Sequence, residues 1–404
     1  MKTLFISDVA LSNPTSGSEQ MLNHQAIGLA SEGIQVYAIT RTADKIPASI
    51  TNVDGVVEGS YCGCPQAMFR FFFALLKYPV KFYNHFVQDG PFQVLICHQP
   101  FNFFALLLRK RIGKLPLLYN FHSPSHQEYL LSHQKKGHLS IFFPATVRRL
   151  IEKICLTRAM KIMVESRYMK QKVQAIHRIP ADKILVNPGG VDLDRFTPYL
   201  KRNQLKEKLG FPRSKIHLLT VRNLEPRMGL DNLLKCMVAL KKNGLPVYLT
   251  LGGEGGQRKE LEKLIVNFGL NKEVSITGFI PPDVLPKYYA ASDFFILPTR
   301  HLEGFGLVTP ESMACGTPVL GTPVGATREI LSGLDDRFLF KDATSEAMAR
   351  GIQAAIQNYL NNKKKYDELR MRCRAFAEKH YSWNRHVCQL RSIVRDLQAE
   401  SIEY

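Results

Sequence analysis

The sequence is poor in acid and lacks long apolar runs, paired cysteines and repeats. Its 404 residues hold 35 Asp and Glu against 54 Lys and Arg, a formal charge of +19. No stretch approaches the roughly 20 apolar residues that span a bilayer, which excludes a membrane-crossing helix. MKTLFISDVA reaches Asp8 after a short apolar run, so no signal peptide is expected. The eight cysteines are scattered, and only Cys62 and Cys64 lie close together. C-G-C is too tight for a zinc knuckle and no second pair follows. The expectation is reduced thiols, a cytoplasmic protein and no metal site. No G-x-G-x-x-G follows a strand, which disfavours a nicotinamide cofactor.

What is present is a 45% hydrophobic chain long enough for two or three domains. Its charge is uneven. Residues 1–60 hold 3 Lys/Arg against 6 Asp/Glu, a net of −3. Residues 61–178 hold 18 against 4, a net of +14. Such a block suits nucleic acid or an anionic membrane. It contains no nucleic-acid-binding motif, so nucleic acid is not expected as a partner. MFRFFFALLKYPVKFY mixes aromatics and Leu with Arg70, Lys77 and Lys81, the composition of an interfacial amphipathic segment. The plainer reading is a core-covering helix broken at Pro79. The expected location is cytoplasmic, with a peripheral place on the inner membrane face as the second reading.

Asp293–Ile330, DFFILPTRHLEGFGLVTPESMACGTPVLGTPVGATREI, organises the rest. FFIL reads as a buried parallel strand. Glu303, Gly304, Phe305 and Gly306 form a turn, a helix opens near Leu307 and carries Glu311, and VLGT is the next strand. The loop therefore lies at a strand carboxyl end and a helix start, where α/β folds bind ligands and backbone amides attract phosphate. E-x7-E followed by CGTPV resembles the donor-site signature of retaining glycosyltransferase family 4 (glycosyl transferases group 1). The resemblance extends over nearly the whole chain. It implies the GT-B fold: two doubly wound, Rossmann-like α/β domains facing a central cleft. It also implies roles. Glu303 would hold the transferred sugar and Glu311 the ribose. Gly304, Phe305 and Gly306 would offer backbone donors to the sugar, and Leu307 and Val308 amides to phosphate.

The remaining segments alternate strand and helix as that fold requires. KTLFIS is a first strand. Ser16, Gly17 and Ser18 read as a flexible turn before a helix opening at Glu19 and ending at Gly33. This loop is similar to the family's GGxE loop, in which Gly17 would let backbone approach the donor phosphates. His122 follows the strand in LPLLYNFHSP. A lone His is usually structural, but family members carry one here that contacts the sugar or the leaving phosphate. His98 and His126 are read as structural or acceptor-side. VNPGGVDLDRFTP matches the interdomain segment, giving an acceptor-side domain over 1–192 and a nucleotide-sugar domain over 193–380. The terminal helix within 381–404 would cross back onto the first domain. In the second domain, GGEGG places Gly253 beside the nucleotide, and the backbone of Gly278, Phe279 and Ile280 near the base.

The resemblance implies a retaining enzyme that uses a nucleotide sugar, with UDP the expected carrier, and a saccharide or lipid-linked acceptor. No D-x-D motif stands in a donor-like context, so no essential metal is expected. Cations and helix starts would stabilise the leaving diphosphate. One departure matters. The family's GRLxxxKG has become VRNLEPRMG, with Asn223 and Met228 at the positions of its Arg and Lys. Arg222 and Arg227 each stand one place earlier. Arg222 can serve only if its strand ends one residue early or its side chain curls round, and Arg227 has the easier route from a turn. The alternatives are another GT-B-like enzyme, an epimerase or a phosphorylase, or a basic binding protein that kept the fold but not the clamp.

Overall fold

The structure, a computed structural model, describes residues 1–12, 14–42, 47–62, 68–108, 112, 115–133, 138–199 and 201–400, without the side chains of 68–72, 138–140 and 359–361. Cys64 and the Arg70 side chain lie outside the described residues. The chain forms two units, Met1–Gly189 with Trp383–Tyr404, and Gly190–Ser382. It first crosses between them three residues before the boundary expected from sequence.

In the first unit, short apolar runs pair as β1 (Lys2–Ile6), β2 (Gln35–Thr42), β3 (Ser49–Val53), β4 (Val56–Cys62), β5 (Val94–Cys97), β6 (Leu117–Phe121), β7 (Lys161–Val164) and β8 (Ile184–Val186). Their order is β3-β4-β2-β1-β5-β6-β7-β8. All neighbours are parallel except the hairpin β3–β4. The central strands are buried on both faces, as parallel strands covered by helices must be. Helices α1 (Gly17–Ser31), α2 (Met68–Phe86), α3 (Pro100–Leu108), α4 (Ser125–Ser132), α5 (His138–Arg158) and α6 (Arg167–His177) connect them. Phe82, Phe86, Phe103, Leu106, Leu156 and Val173 fill one side of the sheet. Leu22, Ala26 and Leu29 of α1 fill the other side, together with Val387, Leu390 and Val394 of the terminal helix.

Two local expectations are corrected. α1 begins at Gly17, not Glu19. The Ser16 hydroxyl accepts from Glu19 N while Glu19 Oε2 accepts from Ser16 N at 2.8 Å. This reciprocal cap makes Gly17 and Ser18 the first helical residues instead of a flexible turn. The second correction is α2, which runs through Pro79 without a break. Pro79 removes one helical donor, but Leu75 before it and Phe82, Tyr83 and Phe86 after it are buried, and that packing holds the helix.

The second unit has β9 (Ile216–Val221), β10 (Val247–Gly252), β11 (Val274–Gly278), β12 (Phe294–Leu297) and β13 (Val319–Gly321) in the order β11-β10-β9-β12-β13, all parallel. Its helices are α7 (Arg202–Lys208), α8 (Leu230–Lys242), α9 (Arg258–Asn267), α10 (Leu285–Ala291), α11 (Val308–Ala314), α12 (Ala326–Leu334), α13 (Ser345–Asn361) and α14 (Lys363–His380). The last helix, α15 (Trp383–Glu400), returns to the first unit and packs on α1. From β9 the chain winds outward through β10 and β11, and from β12 it winds the other way to β13. The direction of winding therefore reverses between β9 and β12, and a crevice at their carboxyl ends is where such sheets take ligands. No helix among the described residues is long and apolar enough to cross a membrane.

Candidate active site

At that reversal, Arg222 follows β9 and Glu303 sits in the loop after β12. β9 ends at Val221, the condition under which Arg222 turns to the site. Asn223 is exposed. Arg222 Nη2 donates to Glu303 Oε2 at 2.6 Å, and Thr299 Oγ1 donates to the same oxygen at 2.7 Å. The Arg222 and Glu303 side chains are 5% and 6% exposed. Arg222 Nη2 also lies 3.0 Å from Met228 Sδ, so Met228 supports the guanidinium in place of a second cation. Arg222 Nη1 is buried with no hydrogen-bond partner. A buried donor without a partner is costly, and functional sites are where such atoms persist.

Burial alone would raise the Glu303 carboxyl pKa. The Arg222 charge and the Thr299 hydrogen bond outweigh it, with a smaller push from Arg227, and the group stays below its usual range. The loop is held in a demanding shape. Leu302 has φ +55°, uncommon for a side-chain-bearing residue and a form of strain that clusters at functional sites. Gly306 has φ +77°, and a Cβ on it would lie 2.9 Å from Glu303 Oε1. Arg227 Nη1 donates to Leu302 O at 3.1 Å, and Arg300 reaches Asp231 Oδ2 at 2.7 Å, tying the loop to the turn after β9 and to α8.

Leu307 caps α11, whose first residue is Val308. Glu311 lies in the first turn of α11, its Oε2 accepting from the Tyr289 hydroxyl at 2.9 Å. Burial pushes its pKa up to about 7, against the Tyr289 hydrogen bond and the Arg195 charge. Glu303 and Glu311 are thus two buried carboxyls of opposite character, one ion-paired and ionised, the other near half-protonation at neutral pH. Phe305 is buried in the core and Gly304 lies between it and Glu303. Gly253 has φ +123°, a Cβ on it would meet Arg222 O at 1.9 Å, and its amide donates to Gly278 O at 2.7 Å. Its glycine is required by the packing of the β10 loop on the β9 loop. Gly278 also has positive φ, Phe279 is exposed and Ile280 is buried against Gly252.

The first unit carries a second cluster, again at strand carboxyl ends. His122, after β6, accepts or donates at both ring nitrogens: Nδ1 lies 2.6 Å from Glu165 Oε1, and Nε2 lies 3.0 Å from His98 Nδ1. His98 is fully buried after β5, and burial, with the nearby imidazoles of His122 and His386, pushes its pKa well down. His126 packs edge-on against His177 instead, and burial lowers its pKa to about 4. Gly17 opens α1.

The structure therefore brings Arg222, Arg227, Glu303, Gly304, Phe305, Gly306 and Leu307 into the loops after β9 and β12, with Val308 and Glu311 at the start of α11, the Gly253 turn against Arg222 and Gly278 against Gly253. Sequence reasoning passed over Thr299, Tyr289 and Glu165. Glu165 directly follows β7, and the strand-end rule that singles out His122 applies equally to it.

Two family models match the chain, Glycosyltransferase Family 4 over residues 15–195 and Glycosyl transferases group 1 over 201–380. A D-inositol 3-phosphate glycosyltransferase of Actinosynnema mirum is 27% identical over 80% of this chain and 82% of its own length. An uncharacterized glycosyltransferase of Methanocaldococcus jannaschii is 25% identical over 68% and 70%. Among solved structures, sucrose-phosphate synthase from Thermosynechococcus elongatus superposes with TM-score 0.82 at 20% identity, over 99% of this chain and 100% of that one. The Anabaena protein HepE in complex with UDP gives 0.73 at 17%, over 98% and 100%. These two structural likenesses concern the fold.

Proposed function

Since the chain belongs to the glycosyl transferases group 1 and is a GT-B glycosyltransferase, we propose that it moves a sugar with retention from a UDP-sugar to a saccharide or lipid-linked acceptor. The observation that carries this reading is the Arg222–Glu303 pair. One guanidinium edge orients the carboxylate, and the other presents a buried donor without a partner at the sheet's reversal point. Glu303 then accepts from sugar hydroxyls, and Glu311, once ionised, accepts from the ribose diol. Arg222 Nη1, the Arg227 charge and the Leu307 and Val308 amides meet the charge that grows on the leaving diphosphate, which is where preorganised donors lower a barrier. No essential divalent ion is required in this scheme. The acceptor hydroxyl attacks from the face the diphosphate leaves, and the leaving phosphate oxygen takes its proton. The nucleotide bound to HepE supports UDP. A mannosyltransferase of Mycolicibacterium smegmatis that is named for GDP-mannose, 32% identical over 36% of this chain, keeps GDP in the test.

The membrane reading rests on an apolar surface that the sequence only half displayed. On α5, Phe143, Val147, Leu150 and Ile154 form one exposed stripe beside exposed Arg149 and Lys153, and its single acid, Glu152, is buried. On α2, Phe73 and Leu76 are exposed beside Lys77 and Lys81, and α3 packs against both helices. Apolar side chains at helical spacing among lysines and arginines, with no exposed acid, suit an anionic lipid surface.

A thermal-shift screen against UDP-, GDP-, ADP- and dTDP-sugars tests the donor, since a ligand at 100 times its Kd adds about 2.7 kcal/mol. Acceptor-dependent release of nucleoside diphosphate in the presence of EDTA, with the product anomer read by NMR, tests reaction, metal and stereochemistry. No shift with any nucleotide sugar would remove the donor site. An inverted anomer would remove the retaining mechanism.

A further inference from the structure

The histidine cluster of the first unit is longer than the pair at its end. His98 Nε2 lies 3.0 Å from Gln25 Oε1, Gln25 Nε2 lies 2.9 Å from His386 Nε2, and His386 Nδ1 lies 2.8 Å from Pro188 O. Gln25 comes from α1, His98 from the end of β5, His386 from α15 and Pro188 from the segment that leaves this unit. Asn187 Nδ2 donates to His386 O at 3.1 Å and fixes the same helix turn. Gln25, His98 and His386 are all buried.

We propose that the Pro188 carbonyl, acting through His386, Gln25 and His98, sets the proton positions of His122, so that the His122–Glu165 pair holds one shared proton. A carbonyl only accepts, so His386 carries its proton on Nδ1. Burial keeps His386 neutral, helped by the His122 imidazole and opposed by the Pro188 hydrogen bond and the Glu165 charge. Its Nε2 therefore accepts from the Gln25 amide. The Gln25 oxygen must then face His98, which donates from Nε2 and accepts at Nδ1. His122 in turn donates from Nε2, and the 2.6 Å contact from its Nδ1 to Glu165 must contain a proton. That proton belongs to an imidazolium beside a carboxylate or to a carboxylic acid beside an imidazole. The opposite polarity would put protons on both His386 nitrogens and bury an unpaired imidazolium, which is far costlier than a charge beside Glu165. Asn120 is the remaining polar group against this chain. Its amide lies 3.4 Å from His98 Nε2 and its Oδ1 has no partner. Turned by half a rotation, the exchange that amide assignment permits, it is a second acceptor for the same His98 proton.

The consequence rests on the transferase reading above. Both His122 ring nitrogens are committed to protein, so His122 cannot act as a base from either. Gln25, His98 and His386 are positioning residues that hold a proton-bearing pair in place. Loss of that proton leaves the Nδ1 lone pair facing a carboxylate. In Gln25→Leu the polarity is no longer imposed. Neutral His122 can then carry its proton on Nδ1 towards Glu165.

The decisive measurement is NMR of the full-length wild-type protein with histidine-selective 15N labelling at pH 7. It should find His386 as the Nδ1–H tautomer, His98 as the Nε2–H tautomer, and a proton held between His122 and Glu165. His98 found as the Nδ1–H tautomer overturns the proposal, whatever the enzyme's activity. The same spectra of Gln25→Leu should show the polarity reversed, with His98 and His122 each carrying its proton on Nδ1. A Gln25→Leu protein whose His98 keeps the Nε2–H tautomer also overturns it. A chain that turns over no donor would sink the transferase reading and leave the NMR result to decide this one.

Discussion

Replacing Arg222 by Ala separates the structural work of the Arg222–Glu303 pair from its proposed chemistry. The pair is 2.6 Å apart with both side chains about one-twentieth exposed. Removing one member of such a buried pair typically costs about 3–5 kcal/mol, because the remaining charge is stranded. Thr299 still donates to Glu303, so the lower end, about 3 kcal/mol, is expected at pH 8. The pH dependence gives the sharper test. In the wild type the Glu303 pKa is depressed, so its contribution to stability is present above the unfolded value of 4.5 and is lost as pH falls through the lower folded value. Without Arg222, burial is opposed only by weaker influences, and the folded pKa should rise above 4.5. The sign then reverses. The contribution is present below 4.5 and is lost as pH rises through the new folded value, so the variant should be closest to wild type near pH 5 and furthest from it near pH 8. Chemical denaturation followed by far-ultraviolet circular dichroism at both values measures this. Adding Glu303→Gln should restore much of the stability at pH 8 and none of the turnover. A penalty for Arg222→Ala below about 1 kcal/mol, or equal at the two pH values, would refute the claim that Arg222 holds an ionised Glu303.

Glu311→Ala removes hydrogen bonds to a charged acceptor worth roughly 1.5–3 kcal/mol, so nucleoside-diphosphate affinity should fall about ten- to a hundredfold by calorimetry. In the wild type that affinity should rise from pH 6 to pH 8 with proton release, because a diol needs the ionised carboxylate and the free group titrates at about 7. The same raised pKa means that Glu311 stabilises the ligand-free fold most below 4.5 and ceases to do so as pH rises through about 7. Arg227→Ala should lower turnover by about two to three decades while leaving donor affinity nearly intact, since charge on the leaving phosphate grows in the transition state. Equal losses in kcat and affinity would place its role in the ground state. Reversing Lys77 and Lys81 to Glu should weaken co-sedimentation with anionic vesicles more than tenfold, at about 1 kcal/mol per charge, with soluble-donor binding kept. Binding indifferent to salt and lipid charge would count against the membrane surface.

The sequence by itself determined the fold class and most of the loop around Glu303. Four-residue apolar runs such as FFIL and VLIC, closed by polar residues, Gly or Pro, read as buried strands, and both signals are local and survive without neighbours. Repeated strand–helix alternation then leaves few topologies. Spacing also placed Glu303 and Glu311 at one strand end, because eight residues cover one loop and the start of one helix. Contacts between distant segments were decided only by the tertiary structure. Arg222 and Asn223 are neighbours in sequence, and which one faces Glu303 depends on where β9 stops pairing with β10. Residues 25, 98, 122, 165 and 386 carry no shared motif: 98, 122 and 165 meet because β5, β6 and β7 are neighbours in the sheet, and 25 and 386 join them because α1 and α15 pack together beside it. The exposed stripe on α5 was equally invisible. An apolar helix face reads the same in sequence whether a core covers it or water does, and only the packing of α5 against α3 and α4 leaves that face outside.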